Sequence, residues 1–118
     1  MRAYVHDVDT PEYAKIKILR LSVNEGKSVR IDVPIRLLEE AGIDIRKGDE
    51  VIVEFRRSLE DLEQWDIVYS CKAYMEKEKK TLISCGGLQI SLDTELLLEE
   101  IRPGSKIYVY IRKCQEKN

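Results

Sequence analysis

The sequence predicts a mainly β domain with short helices, an α+β fold. In it, duplicated strand–hairpin–helix–strand units form one closed barrel with a pseudo-two-fold axis. Three observations predict this fold. Apolar and polar residues alternate in several short runs, glycine-containing turns separate the runs, and this order recurs once along the chain. With 118 residues, 43% of them hydrophobic, the chain suits a single domain, residues 1–118.

The first copy, residues 15–57, opens with a predicted β-hairpin. Residues 15–21 mix apolar and basic side chains in a strand pattern, residues 24–27 tolerate a tight reversal, and residues 28–33 alternate again. We therefore expect two antiparallel strands with one buried face and one charged face.

A helix, a turn and a last strand complete this copy. Pro34 cannot donate to a sheet but suits the first turn of a helix, which we expect over residues 35–41. Gly48 and Asp49 form the next turn, because glycine permits unusual backbone angles and the carboxylate can accept turn N–H groups. We assign both a structural role, and residues 51–55 alternate as the final strand.

The second copy, residues 66–113, repeats this order with changed residues. A strand and a charged turn lead to a hairpin with a glycine pair at its tip. Asp93 takes the place of the proline, and we expect its carboxylate to cap a helix over residues 94–101. Gly104 then corresponds to Gly48 as a structural turn residue before the last strand.

An acidic connector, residues 58–65, joins the copies. One copy has only about 40 residues, a size at which a chain rarely buries enough surface to fold alone. Two interlocked copies can pair each other's open strand edges and thereby close the barrel.

Charge and cysteine content narrow the function classes. The net charge of −2 argues against a polyanion-binding tail, and no run of apolar residues is long enough to span a bilayer. Cys71, Cys85 and Cys114 lack the spacing of a zinc site, so we expect reduced thiols in a cytoplasmic protein, the first two as small core residues. The charged fraction of 36%, with few Asn and Gln, is typical of proteins from hot environments.

No catalytic constellation is visible, and we predict neither an enzyme nor a metal or cofactor. His6 with Asp7 and Asp9 could chelate a metal, but a flexible N-terminal segment is the better interpretation. Tyr108 and Tyr110 share one strand face, which suits either a stacking platform for single-stranded nucleic acid or, as we favour, cross-strand packing.

Three segments of the first copy carry a family resemblance. Residues 30–34 read RIDVP, residues 41–43 read AGI, and residues 47–53 read KGDEVIV. They resemble the AbrB/MazE/SpoVT family of swapped-hairpin DNA-binding proteins and the wider group of cradle-loop barrels that includes double-psi barrels. The resemblance implies a transcriptional regulator that acts by occupying duplex DNA. The alternative is a non-enzymatic cradle-loop barrel that serves as a protein-interaction or assembly subunit.

The resemblance also implies that the first hairpin contacts DNA. The predicted contacts are its basic residues Lys15, Lys17, Arg20, Lys27 and Arg30. Lys and Arg bind phosphates, and Arg also reads guanine edges in the major groove. The alternative interpretations are a solvated charged face, or a surface for a protein partner or a second copy of the chain.

Overall fold

The computed structural model describes residues 1–97 and 100–114, apart from the side chain of Glu25. These residues form a closed barrel of eight antiparallel strands with one short α-helix. The elements are β1 (Arg2–Asp9), β2 (Ile16–Val23), β3 (Lys27–Pro34), α1 (Ile35–Ala41), β4 (Glu50–Arg56), β5 (Ile67–Lys77), β6 (Lys80–Cys85), β7 (Leu88–Asp93) and β8 (Lys106–Lys113). The prediction of a mainly β closed barrel is confirmed. No helix in this part of the chain is long and apolar enough to cross a membrane.

The strand order around the barrel is β1-β2-β3-β7-β6-β5-β8-β4, and β4 pairs with β1 to close it. Every strand contributes buried side chains on alternate positions, as the sequence pattern predicts. The interior is therefore filled by branched aliphatic residues such as Leu19, Ile31, Val53, Ile83 and Ile111. An eight-stranded barrel has about the diameter at which side chains fill the inside.

Strand β1 corrects the expectation of a flexible, solvated N-terminal segment. It pairs with β2 on one side and β4 on the other, and its Ala3 and Val5 are buried in the core. The segment is ordered because closing the barrel requires a strand between β2 and β4. His6 lies at an irregularity in the pairing with β2, where the register shifts between Val5 and Asp7.

The predicted second helix, over residues 94–101, is also wrong. The described residues contain only a short 3₁₀ turn at Thr94–Leu96, while residues 98–99 lie outside the described part. Asp93 makes no side-chain capping hydrogen bond. Its carboxylate instead accepts the backbone N–H of Ser28 at 2.8 Å, across the β3–β7 pair, so this oxygen serves the sheet rather than a helix end.

Two turns of similar geometry precede β4 and β8. In the first, Gly48 has φ +97° and the carboxylate of Asp49 accepts the N–H of Arg46 at 2.8 Å. Gly48 also donates to the carbonyl of Val5, and the N–H of Val5 donates to the carbonyl of Asp49, both at 2.8 Å. The turn is thereby tied to the middle of β1.

The second turn repeats these hydrogen bonds with other residues. Gly104 has φ +95°, and the hydroxyl of Ser105 accepts the N–H of Arg102 at 3.3 Å. Gly104 donates to the carbonyl of Ala73 at 2.6 Å, and the N–H of Ala73 donates to the carbonyl of Ser105 at 3.0 Å. This turn is tied to β5, whose pairing with β6 shifts register between Ala73 and Met75.

The expectation that Cys71 and Cys85 are separate, reduced core residues is wrong. Both are buried, and a disulfide joins them across β5 and β6, with their Cα atoms 4.2 Å apart. Their separation of 14 residues gives no hint of this, because only the register of the two strands brings them opposite each other. Cys114 is a free thiol.

Candidate functional site

The basic residues proposed for DNA contact lie along the β2–β3 hairpin, where two of them face each other. Arg20 and Arg30 are directly opposed across the strand pair. Like charges in that arrangement repel, and each arginine has a carboxylate beside it. Arg20 Nη2 lies 3.2 Å from Asp9 Oδ2, and Arg30 Nη2 lies 3.6 Å from Asp32 Oδ1.

Two of the remaining three basic residues are also paired. Lys17 donates a hydrogen bond to the carboxylate of Asp44, and Lys27 Nζ lies 3.1 Å from Glu95 Oε2. Hydrogen bonds from Lys17 and then Arg46 lower the pKa of Asp44 from 3.8 to about 2. Lys15 is exposed. The hairpin is therefore a surface of compensated charge rather than a continuous positive face.

A buried group links the end of β3 to its neighbours. The carboxylate of Asp32 accepts the N–H of Gln89 at 3.0 Å, and the hydroxyl of Tyr69 donates to the Asp32 carbonyl at 3.3 Å. Burial, with a smaller contribution from the charge of Asp32, raises the pKa of Tyr69 well above its usual value. Tyr69 therefore remains a hydrogen-bond donor and joins β5 to β3 as a structural contact.

The connector packs on the outer face of β4 and β8, and Tyr110 is the residue that holds it there. The side chain of Tyr110 is fully buried; its hydroxyl donates to the carbonyl of Ser58 at 2.6 Å and accepts the N–H of Glu60 at 3.0 Å. Trp65 meets the Tyr110 ring edge-on, with the ring centres 5.3 Å apart. Tyr110 is thus unavailable as a stacking platform, and its aromatic partner is the connector residue Trp65 rather than a residue across the strand pair.

Two arginines complete this aromatic cluster. The guanidinium of Arg56 lies 4.7 Å from the centre of the Tyr110 ring and 5.4 Å from that of Trp65. Arg112 lies 5.3 Å from the Trp65 ring centre. Cations near aromatic faces contribute roughly 0.5–1 kcal/mol each at exposed sites. The connector is therefore held in one position by hydrogen bonds, ring packing and cation–π contacts together.

A shallow cavity of about 420 Å³ lies between the connector and the strands β5 and β8. We call it the connector groove, and its lining residues are Leu59, Leu62, Trp65, Asp66, Val68, Tyr69, Ser70 and Tyr108. Leu59 and Leu62 are 51% and 47% exposed, which is unusual for leucines on an ordered segment that could turn them inward. In the sequence, this groove is marked only by an acidic segment that also contains two leucines.

Carboxylates lie at and near the connector groove, where Asp66 is part of the lining and Glu60, Asp61 and Glu63 are exposed sequence neighbours of lining residues. The connector and the residue after it contain four carboxylates, Glu60, Asp61, Glu63 and Asp66, and no basic residue. Within the described part of the chain, none of the four forms an ion pair, in contrast to the acidic partners of the hairpin. Asp66 is engaged in a different way, because its carboxylate accepts the N–H of Lys113 at 2.8 Å.

A second cavity, of about 570 Å³, is polar and already internally paired. Its lining residues are Arg2, Glu50, Ile52, Asp66, Arg112, Lys113 and Cys114. Arg2 and Glu50 form an ion pair at 2.9 Å.

The residues weighed for metal binding do not converge. His6 is exposed, and Asp9 is engaged with Arg20. Across residues 1–97 and 100–114, no group of three or more His, Cys, Asp or Glu side chains could hold a metal ion. A scan against protein-family models and a search of curated proteins both find no match for this chain.

Proposed function

We propose that residues 2–56 and 67–113 are two diverged copies of one unit that interlock as a pseudo-dimer. The strand pairing supports this. Exchanging β1, β2, β3 and β4 for β5, β6, β7 and β8 leaves the full set of eight strand pairs unchanged. In this proposal each copy begins one strand earlier than the hairpin, with β1 corresponding to β5.

Local details of the two halves support the same proposal. The glycine turns before β4 and β8 make equivalent hydrogen bonds to β1 and β5, and both of those strands shift register beside the residue that receives them. Asp32 accepts the N–H of Gln89, and Asp93 accepts the N–H of Ser28, so the two ends of the β3–β7 ladder are closed in the same way. Unrelated hairpins have no reason to share all of these features.

We further propose that this cradle-loop-type barrel works without catalysis, as a protein-interaction or assembly subunit. The filled interior leaves the outer surface for binding. The observation that carries the proposal is the connector groove, where Leu59 and Leu62 stay exposed beside the aromatic rings of Trp65 and Tyr108. Exposed apolar surface next to anchored aromatic residues is typical of protein interfaces.

The test is the size of the assembly that contains the chain in extracts of the organism that encodes it. We expect the tagged chain to elute well above its own mass of 13.7 kDa. The double variant L59S/L62S should elute as the free chain. The control Y74S/M75S changes two other exposed apolar residues, 42% and 44% exposed, and should stay in the assembly. Elution of the wild-type chain at its own mass would refute the proposal.

A second candidate is binding of duplex DNA, as the AbrB resemblance implies. The opposed pair Arg20 and Arg30 favours it, because both side chains are still more than 40% exposed and lie on the same outer face. Binding should weaken steeply between about 50 and about 200 mM salt, and R20A/R30A should abolish it. Anisotropy of a labelled duplex measures both effects; equal affinity of the variant and the wild type would remove this candidate.

A further inference from the structure

The connector groove joins apolar anchors to negative charge that the protein leaves uncompensated. We propose that its occupant is a segment of a partner protein in which a large apolar side chain is flanked by Lys or Arg. This inference rests on the proposed function as an assembly subunit and specifies the chemistry of the partner.

The charge argument comes from a contrast within the molecule. The basic residues of the hairpin mostly have carboxylates within ion-pair distance. Other segments of the chain supply three of these carboxylates, and β3 itself supplies Asp32. The exposed carboxylates of Glu60, Asp61 and Glu63 have no such counterpart in the described part, although they lie within four residues of one another. Mutual repulsion raises the free energy of the unbound connector, and a cationic partner relieves it.

The apolar argument comes from the walls of the groove. The aromatic rings of Trp65 and Tyr108 line the groove together with Val68 of β5 and the half-exposed leucines Leu59 and Leu62. A volume of about 420 Å³ is within the range of pockets that take a ligand or a large side chain. Buried anchors of this kind dominate interface energies, so the apolar side chain supplies affinity and the charges select the partner.

The two rims of the groove also set the orientation of the occupant. On the β8 side, Lys106 Nζ lies 5.4 Å from the ring centre of Tyr108, so that rim is positive. On the connector side, Arg56 and Arg112 contact the Trp65 ring, and the exposed carboxylates of Glu60, Asp61 and Glu63 supply the negative charge. The basic residues of the partner segment should therefore face Glu60, Asp61 and Glu63, and its apolar side chain should enter between Trp65 and Tyr108.

The experiment places the photo-crosslinker p-benzoylphenylalanine at Gln64, an exposed connector position that leaves both leucines in place. The full chain is expressed in the organism that encodes it, and the crosslinked segment is sequenced by mass spectrometry. A second sample carries the crosslinker at Tyr13, which is 94% exposed. We expect Gln64, and not Tyr13, to capture a segment with an apolar residue flanked by Lys or Arg.

Charge variants show whether the carboxylates select this segment. The triple variant E60Q/D61N/E63Q should lower the crosslinking yield about tenfold, since several exposed charge pairs are lost together. The control E12Q/E39Q/E76Q removes the same number of exposed carboxylates elsewhere and should stay within about twofold of the wild type. Asn suits position 61, because Asp61 has φ +51° and Asn tolerates that conformation.

The outcomes separate this inference from the proposed function. A neutral or acidic captured segment, or an unchanged yield from the triple variant, overturns the inference. If L59S/L62S still loses the crosslink in that case, the assembly function stands. Capture of nucleic acid, of a second copy of this chain, or of nothing at Gln64 overturns both.

Discussion

The hydroxyl of Tyr110 makes two of the hydrogen bonds that hold the connector, so we expect Y110F to loosen the connector while leaving the barrel folded. The substitution keeps the ring against Trp65 and removes two hydrogen bonds, to the carbonyl of Ser58 and from the N–H of Glu60. At about 1 kcal/mol for each bond, the loss is about 2 kcal/mol. For a chain of this length that corresponds to about 8 °C in Tm.

The assay uses the only tryptophan of the chain, which lies in the connector itself. Urea unfolding followed by Trp65 fluorescence reports the connector, and far-UV circular dichroism reports the barrel. In Y110F the fluorescence transition should come at lower urea than the circular dichroism transition. The control is Y108F, since the Tyr108 hydroxyl makes no hydrogen bond within the described residues. If Y110F and Y108F unfold within about 0.5 kcal/mol of each other, the reasoning is refuted.

Three further predictions concern other parts of the molecule. The carboxyl of Asp44 has a lowered pKa, so its ion pairs stabilise the fold above its unfolded pKa of 3.8 and are lost as pH falls towards about 2. D44N should remove this acid-dependent loss, at most about 1 kcal/mol because the group is partly exposed, as measured by urea unfolding at several pH values. Thiol titration of the unfolded chain should find one free thiol before reduction and three after it. The variant C71S/C85S should lower the free energy of unfolding by about 3 kcal/mol, as measured in urea. Equal unfolding of oxidised and reduced wild-type chains would show that the disulfide is absent. G48A and G104A should each cost about 1–2 kcal/mol, because both glycines have positive φ and open space around them; a large difference between them would contradict equivalent turns.

Much of the barrel could be predicted because strand alternation and glycine turns are visible within short stretches of the sequence. Alternation at Val29, Ile31 and Val33 shows which face is buried, and Gly48 and Gly104 mark turns by their conformational freedom. What failed depended on distant partners. Strand β1 has only a weak strand pattern in its sequence. It is ordered because it pairs with β2 on one side and with β4 on the other.

The second copy shows how a small change in a loop misleads the comparison of sequences. Three residues, 24–26, separate the paired ends of the first hairpin, and two residues, 86–87, separate those of the second. Asp93 takes the place of Pro34 in the sequence comparison. Its carboxylate, however, accepts a backbone N–H across the β3–β7 pair, as the carboxylate of Asp32 does. The hydrogen bonds of the β3–β7 ladder decide its role, and a single sequence does not contain them.

The candidate site was the least predictable part, for the same reason. Residues 15–30 are rich in basic side chains, but their acidic partners come from β1, from the segment before β4 and from the turn after β7. The connector leucines, by contrast, are half-exposed beside the groove, while Tyr110 and Trp65 pack against each other. Charge counted along a chain does not show which charges are compensated in space.

The connector lies over Tyr110, and Tyr110 is paired with Glu54 near the middle of the β4–β8 ladder, where the two halves of the barrel meet. A segment at that junction excludes a second one by simple sterics, even though the barrel beneath it has two similar sides. In the pseudo-dimer that we propose, a nearly symmetric scaffold would therefore carry a single connector groove, which gives it a defined polarity.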